Sequence, residues 1–396
     1  MPSLNDLNFD GARVLVRVDF NVPLDDNQNI TDDSRMQAHI PTFKAIVEKG
    51  GRPVVMSHLG RPKNGPEAKF SLEHLVAHLR ELSGMDVQFI NDCVGAGVEE
   101  ATNQLPANTI LLLENLRFHK GETQGDEDFA FALSKNGDFY INDAFGTAHR
   151  AHASTAIIAK HFANRKAFGL VLQQEIDNVN KVLHGGEKPV TAIVGGAKVS
   201  SKISVLENLL PKIDHLIIGG GMAFTFLKAQ GGSTGNSLVE DDFLETAQKI
   251  MEAAEKQGVK LHLPIDSVIA DDFSNEAKRE IVASKSIPDG WMGLDAGPET
   301  ISSLAPIIEA SKTLLWNGPL GVFEFENFSE GTKKAGELIV AATEKGAFSL
   351  VGGGDSVAAI KKFNMAEQVS YVSTGGGAML EFLEGKTLPG IAAILD

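Results

Sequence analysis

Short apolar runs rich in β-branched residues alternate along this chain with longer segments in which apolar residues recur every three or four positions. The first pattern marks buried strands and the second marks helices with one apolar face. Strands are expected near Arg13 to Val18, Pro53 to Met56, Val87 to Ile90, Ile110 to Leu113 and Phe139 to Ile141. Between them, Met36 to Glu48, Leu72 to Leu82 and Glu127 to Ser134 read as helices. The rhythm restarts at Val190, with strands near Ile213 to Ile218, Val259 to Leu263, Thr313 to Trp316, Ala347 to Val351 and Gln368 to Val372. Such alternation is the βαβ pattern of a parallel sheet covered on both faces. The expected fold is α/β: two doubly wound, Rossmann-like parallel-sheet domains. Leu170 to Leu183 reads as one long amphipathic helix followed by Gly185-Gly186 and Pro189, so a hinge helix over 170–184 is expected to join them.

In the second half, four apolar runs end in glycine clusters: Gly195-Gly196, Gly219-Gly220-Gly221, Gly352-Gly353-Gly354 and Gly375-Gly376-Gly377. A strand running into glycines and then a helix leaves backbone N–H groups facing open space, where an anion can sit without meeting a side chain. One such loop is an ordinary tight turn. Four together point to nucleotide phosphates.

Composition narrows the class. A chain of 396 residues is too long for a single core, which agrees with two domains. The net charge of −16 and pI near 5.2 argue against nucleic-acid or acidic-membrane partners, which need a basic face. Cys93 is the only cysteine, so no intrachain disulfide forms, and Cys93 is expected to be inert packing in a reducing compartment. With no basic-then-apolar leader at the N-terminus and no charge-free run of spanning length, a cytoplasmic location is expected. Asn327-Phe328-Ser329 matches a glycosylation triplet, but such triplets are common by chance.

In open α/β sheets ligands bind beyond the carboxyl ends of the strands. The first half places Arg17, Asp19 and Asn21 after its first strand, and His58 and Arg61 after the second. Arg117 and His119 follow Ile110 to Leu113, and Asp143, His149, Arg150 and His152 follow Phe139 to Ile141. Several guanidinium groups at one sheet edge of an acidic chain imply a small polyanion, because the planar fork matches carboxylate and phosphate oxygens. The bland alternative is local pairing with Asp19, Glu114 and Asp143. His149-x-x-His152 and His74-x-x-x-His78 have metal-like spacing without the companion glutamate or cysteines of a zinc motif. His74 and His78 are expected on a solvated helix face, and His149 and His152 as further anion contacts.

Neither G-x-x-x-x-G-K-[ST] nor G-x-G-x-x-G occurs, so the common P-loop and the dinucleotide fingerprint are both absent. Lys198 and Lys202 stand four residues apart just past Gly195-Gly196, which on a helix puts both ammonium groups on one face. Asp355, directly after Gly352-Gly353-Gly354, is placed to bind Mg²⁺ on nucleotide phosphates or to cap the next helix.

Taken in order, these segments resemble the phosphoglycerate kinase family, in its bacterial type. The resemblance rests on Val16-Arg17-Val18-Asp19-Phe20-Asn21-Val22-Pro23, Ser57-His58-Leu59-Gly60-Arg61-Pro62, Leu113-Glu114-Asn115-Leu116-Arg117-Phe118 and the run Asn142 to Arg150. It continues with Gly195 to Ser200, Gly219 to Phe224, Trp316 to Glu324 and Gly352 to Ser356, and so covers essentially the whole chain. It implies reversible transfer of the acyl phosphate of 1,3-bisphosphoglycerate to MgADP, giving 3-phosphoglycerate and MgATP. It further implies an N-terminal phosphoglycerate-binding domain, 1–169 plus about 385–396, and a C-terminal nucleotide-binding domain, 185–384.

Carried over position by position, Asp19 and Asn21 would hold the substrate hydroxyl and carboxyl region. His58, Arg61, Arg117 and Arg150 would hold its non-transferring phosphate, and Arg35 would face the reacting group. Gly196, Lys202, Asn317, Gly353, Gly354 and Ser356 would line the nucleotide phosphates, with Lys198 on the phosphoryl group in flight. Glu324 would accept the ribose hydroxyls, Gly220, Leu294 and Val322 would flank adenine, and Asp355 would bind the magnesium. Ser356 departs from the threonine of many relatives but keeps the hydroxyl. A monomer is expected. Two other classes are weighed: a two-domain binding protein, which leaves Lys198, Lys202 and Asp355 unexplained, and a dehydrogenase, which lacks its fingerprint.

Overall fold

The computed structural model describes residues 2–63 and 65–396. The chain divides into two compact units: Met1–Ile176 together with Thr387–Asp396, and Asp177–Lys386. The division falls inside one helix, Leu170–His184.

The first unit is built on strands β1 (Arg13–Arg17), β2 (Arg52–Met56), β3 (Asp86–Ile90), β4 (Thr109–Leu113), β5 (Phe139–Asn142) and β6 (Lys166–Phe168). They form one six-stranded sheet in the order β3-β4-β2-β1-β5-β6, every pair parallel. All five residues of β4, Thr-Ile-Leu-Leu-Leu, are buried, as both faces of a helix-covered sheet require. The core gathers Val14, Val16, Val55 and Leu112 from the sheet with Met36, Phe43 and Ile46 from helix Ser34–Glu48.

Asp143, just past β5, ties three elements together. Its Oδ2 accepts hydrogen bonds from His39 Nδ1 at 2.8 Å and Thr42 Oγ1 at 2.7 Å, both on helix Ser34–Glu48. Its Oδ1 accepts from the backbone N–H groups of Val171 at 2.8 Å and Leu172 at 3.3 Å. The carboxylate thus satisfies orphan donors in the first turn of helix Leu170–His184 and carries the charge that a helix N-terminus favours. The chain also returns to this unit at its end: Gly390 N donates to Ala148 O at 2.8 Å, and Asn142 Nδ2 to Gly390 O at 3.1 Å.

The second unit contains β7 (Val190–Val194), β8 (His215–Ile218), β9 (Ser233–Thr234), β10 (Lys260–His262), β11 (Asp266–Ala270) and β12 (Arg279–Ala283). Further along are β13 (Ser286–Ile287), β14 (Met292–Ala296), β15 (Thr313–Asn317), β16 (Phe348–Val351) and β17 (Tyr371–Val372). Its main sheet is parallel, in the order β10-β8-β7-β15-β16-β17. The core around it gathers Ile193, Leu314 and Trp316 with Ile339 and Ile360. Beside it, β12-β11-β14 form an antiparallel sheet and β13-β9 a parallel pair.

These small sheets were not expected from the sequence: β9 and β13 have two residues each, and β12 is exposed at four of its five positions, so it lacks an apolar signature. Elsewhere the expected elements stand, with shifts at their ends. Ile213 lies outside β8 because Asp214 turns its carboxylate onto the N–H of Val190 at 2.8 Å, and the strand starts at His215. The run Gln368 to Val372 supplies only the two-residue β17, since Ala366–Gln368 closes as a 3-10 turn.

Candidate active site

In the first unit the chemistry gathers beyond the carboxyl ends of β1, β2, β4 and β5. Asp19 is 8% exposed and sits 3.3 Å from Arg35 and 3.9 Å from His58 Nδ1. Burial would raise its carboxyl, but His58, Arg35 and Arg17 outweigh that and hold it below the usual carboxylate range. Burial also drives His58 itself well below 6.5, so near pH 7 the two arginines are what keep Asp19 ionised. Arg35 also donates to Asn21 O at 2.9 Å, and Asn21 Oδ1 accepts from Gly60 N at 2.8 Å, which seats Asn21 between the first two strand ends.

Arg117 donates to Gly60 O at 2.8 Å, yet its Nε is buried without a hydrogen-bond partner. Burial, followed by the charges of Arg17 and Arg61, pushes its guanidinium down to about 10. Arg150 is exposed, and its charge acts on His152, which burial with Arg117, Arg17 and Arg150 lowers to about 4. Arg61 and Arg150 form no ion pair among the described residues. The structure therefore brings Asp19, Asn21, Arg35, His58, Arg61, Arg117 and Arg150 to one sheet edge as a cationic cluster that includes the buried Arg117 Nε, a donor set whose planar forks match carboxylate or phosphate oxygens.

Local pairing of the arginines accounts for little of this. Of the three carboxylates considered, only Asp19 takes an arginine; Asp143 serves His39 and the helix start, and Glu114 accepts from Ser71, Leu72 N and Asn115 N. Arg17 is the exception on the other side. It is the last residue of β1 and fully buried, so it lies within the sheet and not beyond it.

In the second unit a cavity of about 290 Å³ is lined by Gly195, Gly196, Lys198, Lys202, Asn317, Gly353, Gly354, Asp355 and Ser356. Gly195 is required because a Cβ there would lie 2.1 Å from Pro319 O, and Gly353 because its φ of +91° is left-handed. Lys202 Nζ donates to Asn317 Oδ1, and Asn317 Nδ2 donates to Gly352 O at 2.8 Å, so the amide is fixed between lysine and glycine loop. Ser356 Oγ accepts from Gly318 N at 2.5 Å. The proximity of Lys198 and Lys202 arises differently from the expectation. Helix Ile203–Leu209 begins only after Lys202, so the pair shares no helix face, and the loop before that helix brings both to the same cavity.

That cavity adjoins a larger one of about 650 Å³, lined by Gly220, Phe224, Leu294, Val322, Glu324 and Phe325, with Gly196, Ala197 and Asp355 common to both. The larger space is an apolar slot with Glu324 exposed at its rim. Asp355 does not cap helix Gly354–Lys362: the cap position is Gly353, and the Asp355 carboxylate is exposed in the first turn, facing both cavities. One exposed hard-oxygen ligand beside a phosphate-sized space suits Mg²⁺, which takes one or two carboxylates and completes its shell with phosphate oxygens and water. Among the described residues the only other metal-compatible group is Asp92, Cys93 and His119 in the first unit. There the donors are already bonded: His119 to Asp92 at 2.8 Å, and the Cys93 thiol to Glu114 O at 2.9 Å. Burial, with Asp92 and Glu114, holds that thiol well above 9.0.

Sequence reasoning missed Asp295, which lines the apolar slot from β14 and accepts from Gly331 N at 2.7 Å and Ala296 N at 2.9 Å. Burial raises it to about 7. Its position directly after Leu294 was the available signal. Phe224 and Phe325 in the slot wall carried none beyond hydrophobicity.

A glycine-floored, lysine-bearing cavity opening into an apolar slot, on an α/β unit joined to a second one with an arginine cluster, defines a nucleotide-dependent phosphotransferase. A family model described as phosphoglycerate kinase matches residues 4–386. The chain is 52% identical to a phosphoglycerate kinase of Porphyromonas gingivalis, over 99% of both chains. It is also 52% identical to a cytosolic phosphoglycerate kinase of Triticum aestivum, over 99% of this chain and 97% of that one. Phosphoglycerate kinase from Coxiella burnetii superposes with a TM-score of 0.90 at 41% identity, covering 99% of this chain and 98% of that one. The enzyme from Pyrococcus horikoshii gives 0.83 at 30%, over 100% and 98%. The chain belongs to the phosphoglycerate kinase family, and it is a kinase.

Proposed function

We propose that the chain catalyses reversible phosphoryl transfer between ATP and 3-phosphoglycerate, with the glycerate held by the first unit and the nucleotide by the second. The observation that carries this reading is the junction of the glycine-lined cavity with the apolar slot, where Gly196, Ala197 and Asp355 belong to both. A nucleotide laid across it has its base against Leu294 and Val322, its ribose at Glu324, and its phosphates over Gly196, Gly353 and Gly354.

The glycerate carboxylate is ionised at neutral pH, so it attacks the γ-phosphorus without a general base, forming the acyl–phosphate bond as the bond to ADP breaks. What the site must supply is positive charge around a loose transition state. Arg35 and Lys198 provide it, and Lys202 anchors the phosphates. Asp355 would hold Mg²⁺, which would supply positive charge to the nucleotide phosphates. His58, Arg61, Arg117 and Arg150 fix the phosphate that is not transferred, and Asp19 with Asn21 orients the glycerate end. Because the two substrates bind to different units, they meet by closure, with the helix Leu170–His184 as hinge. Closure also keeps water from the acyl phosphate. The protein works as a cytoplasmic monomer.

The test is MgATP consumption with and without 3-phosphoglycerate, the acyl-phosphate product being reduced in a coupled NADH assay. Turnover that requires both substrates and collapses in Lys198→Ala is expected. Binding of 3-phosphoglycerate with no turnover would instead favour a closing binding protein.

A further inference from the structure

Arg17, absent from the roles assigned above, is fully buried, and a buried guanidinium needs a reason. Each of its three nitrogens donates: Nε to Ser154 Oγ at 2.9 Å, Nη1 to Val18 O, and Nη2 to His58 Nδ1 at 3.2 Å. Ser154 in turn donates from Oγ to Glu122 Oε1 at 2.6 Å, while its N–H meets Glu122 Oε2 at 3.0 Å. Glu122 and Ser154 are fully buried too. Every direction in this chain is fixed. A carboxylate only accepts, so the Ser154 hydroxyl proton points to Glu122 and leaves a lone pair for Arg17. A guanidinium only donates, so His58 Nδ1 must be an acceptor, and the proton of the neutral ring stands on Nε2. His39, on the neighbouring helix, has the opposite assignment: its Nδ1 donates to Asp143 and its Nε2 accepts from Asp19 N at 3.1 Å.

We propose that Arg17, anchored through Ser154 to Glu122, is a positioning residue that locks His58 in the Nε2–H tautomer, so that His58 meets the substrate's phosphate as a fixed hydrogen-bond donor. The proposal rests on the phosphoglycerate reading of the cluster and deepens it. The cluster then contains one neutral donor among its cations, whose strength does not vary with pH. The charged groups facing His58 are Asp19 and Arg17 at the end of β1, Arg35 on helix Ser34–Glu48, and Arg117 after β4. Burial and the three arginines disfavour the imidazolium, against Asp19 alone.

Proton–nitrogen correlation spectra of the nitrogen-labelled full-length protein, without ligand, test the tautomer directly. For His58 we expect Nε2 protonated and Nδ1 bare from pH 6 to 8, and for His39 the reverse. A protonated Nδ1 on His58 overturns the proposal in the unmodified protein, whatever any variant does. In Ser154→Ala, which keeps Arg17, and in Arg17→Met, both His58 nitrogens are expected to show mixed protonation. In Arg17→Met the KM for 3-phosphoglycerate is expected to rise severalfold at about pH 7.5 with kcat little changed, because the ring no longer holds its Nε2–H toward the phosphate. An unchanged KM, with the tautomer also unchanged, makes Arg17 merely structural and sinks the idea. Titration with 3-phosphoglycerate separates the two levels: if the His58 signals report the expected tautomer but do not move with the ligand, the phosphate-site reading fails and the lock stands.

Discussion

Lys198 and Lys202 line one cavity in unlike company. Lys202 is held by Asn317 Oδ1 and lowered by burial, against the carboxylates of Asp355 and Glu384, whereas Lys198 is exposed and forms no hydrogen bond through its ammonium among the described residues. In the proposed mechanism the charge that follows the phosphoryl group cannot be tied down, and of the two lysines Lys198 is the one whose ammonium suits that part. Lys198→Ala is expected to reduce kcat by roughly 10²- to 10³-fold, comparable to the loss of an oxyanion donor, with little change in nucleotide KM. Lys202→Ala is expected to raise nucleotide KM instead; steady-state kinetics at saturating 3-phosphoglycerate separates the two, and a common pattern would refute the division. Gly353→Ala forces a left-handed φ on alanine and sets a Cβ 2.6 Å from Asn317 Nδ2, so it too should weaken nucleotide binding, as read by calorimetry. At this scale the residue types were legible in the sequence, but partners were not. Nothing in the order of residues says that Asn317 holds Lys202 across 115 positions, or that Arg17 is buried when its neighbour Asp19 borders the site.

Among elements, the strand ends explain why so much chemistry could be read early. The run after each strand of a parallel sheet is delivered to one edge whatever the helices do, so Asn21, His58, Arg117 and Arg150 could be assigned to one place from spacing alone. What fails to follow is how each loop gets there. Lys198 and Lys202 were placed by helical periodicity, yet the turn before Ile203–Leu209 brings them together. The small sheets β12-β11-β14 and β13-β9 were invisible because two-residue strands and an exposed β12 carry no periodic signal, though β14 supplies Leu294 and Asp295 to the slot. Asp143, a local partner for the arginines only in the alternative reading, is a joint between a strand end and two helices. Asp143→Ala strands the buried His39, Thr42 and two helix N–H groups, and should destabilise the first unit by roughly 3–5 kcal/mol, the range for breaking a buried charged network. Urea unfolding followed by Trp-independent far-UV signals would check it, and a loss below about 1 kcal/mol would show the joint to be replaceable.

Over the whole molecule the buried histidines set the response to acid. His58 lies well below 6.5, His152 and His262 are lowered to about 4, and His215 is lowered as well, burial being the leading cause in each. Between pH 6.5 and 4 the unfolded chain binds protons at these rings and the folded chain does not, so stability falls as pH drops through that window. Asp295 opposes them, because its folded carboxyl titrates at about 7 and its unfolded one near 3.8, so its contribution falls as pH rises over that interval. Four groups against one predicts lower urea midpoints at pH 5 than at pH 7.5, and a steeper loss in Asp295→Asn; equal midpoints at both pH values would contradict it. The return of Thr387–Asp396 to the first unit has a separate consequence, for the order of assembly. That unit is not a contiguous stretch of sequence, and completing it means closing a loop that consists of the entire second unit. For roughly 200 disordered residues the length-dependent part of that closure costs about 5 kcal/mol. A second unit that is already folded fixes the separation of Asp177 and Lys386 and removes most of that cost, so each unit's stability includes a share of the other's through chain connectivity alone.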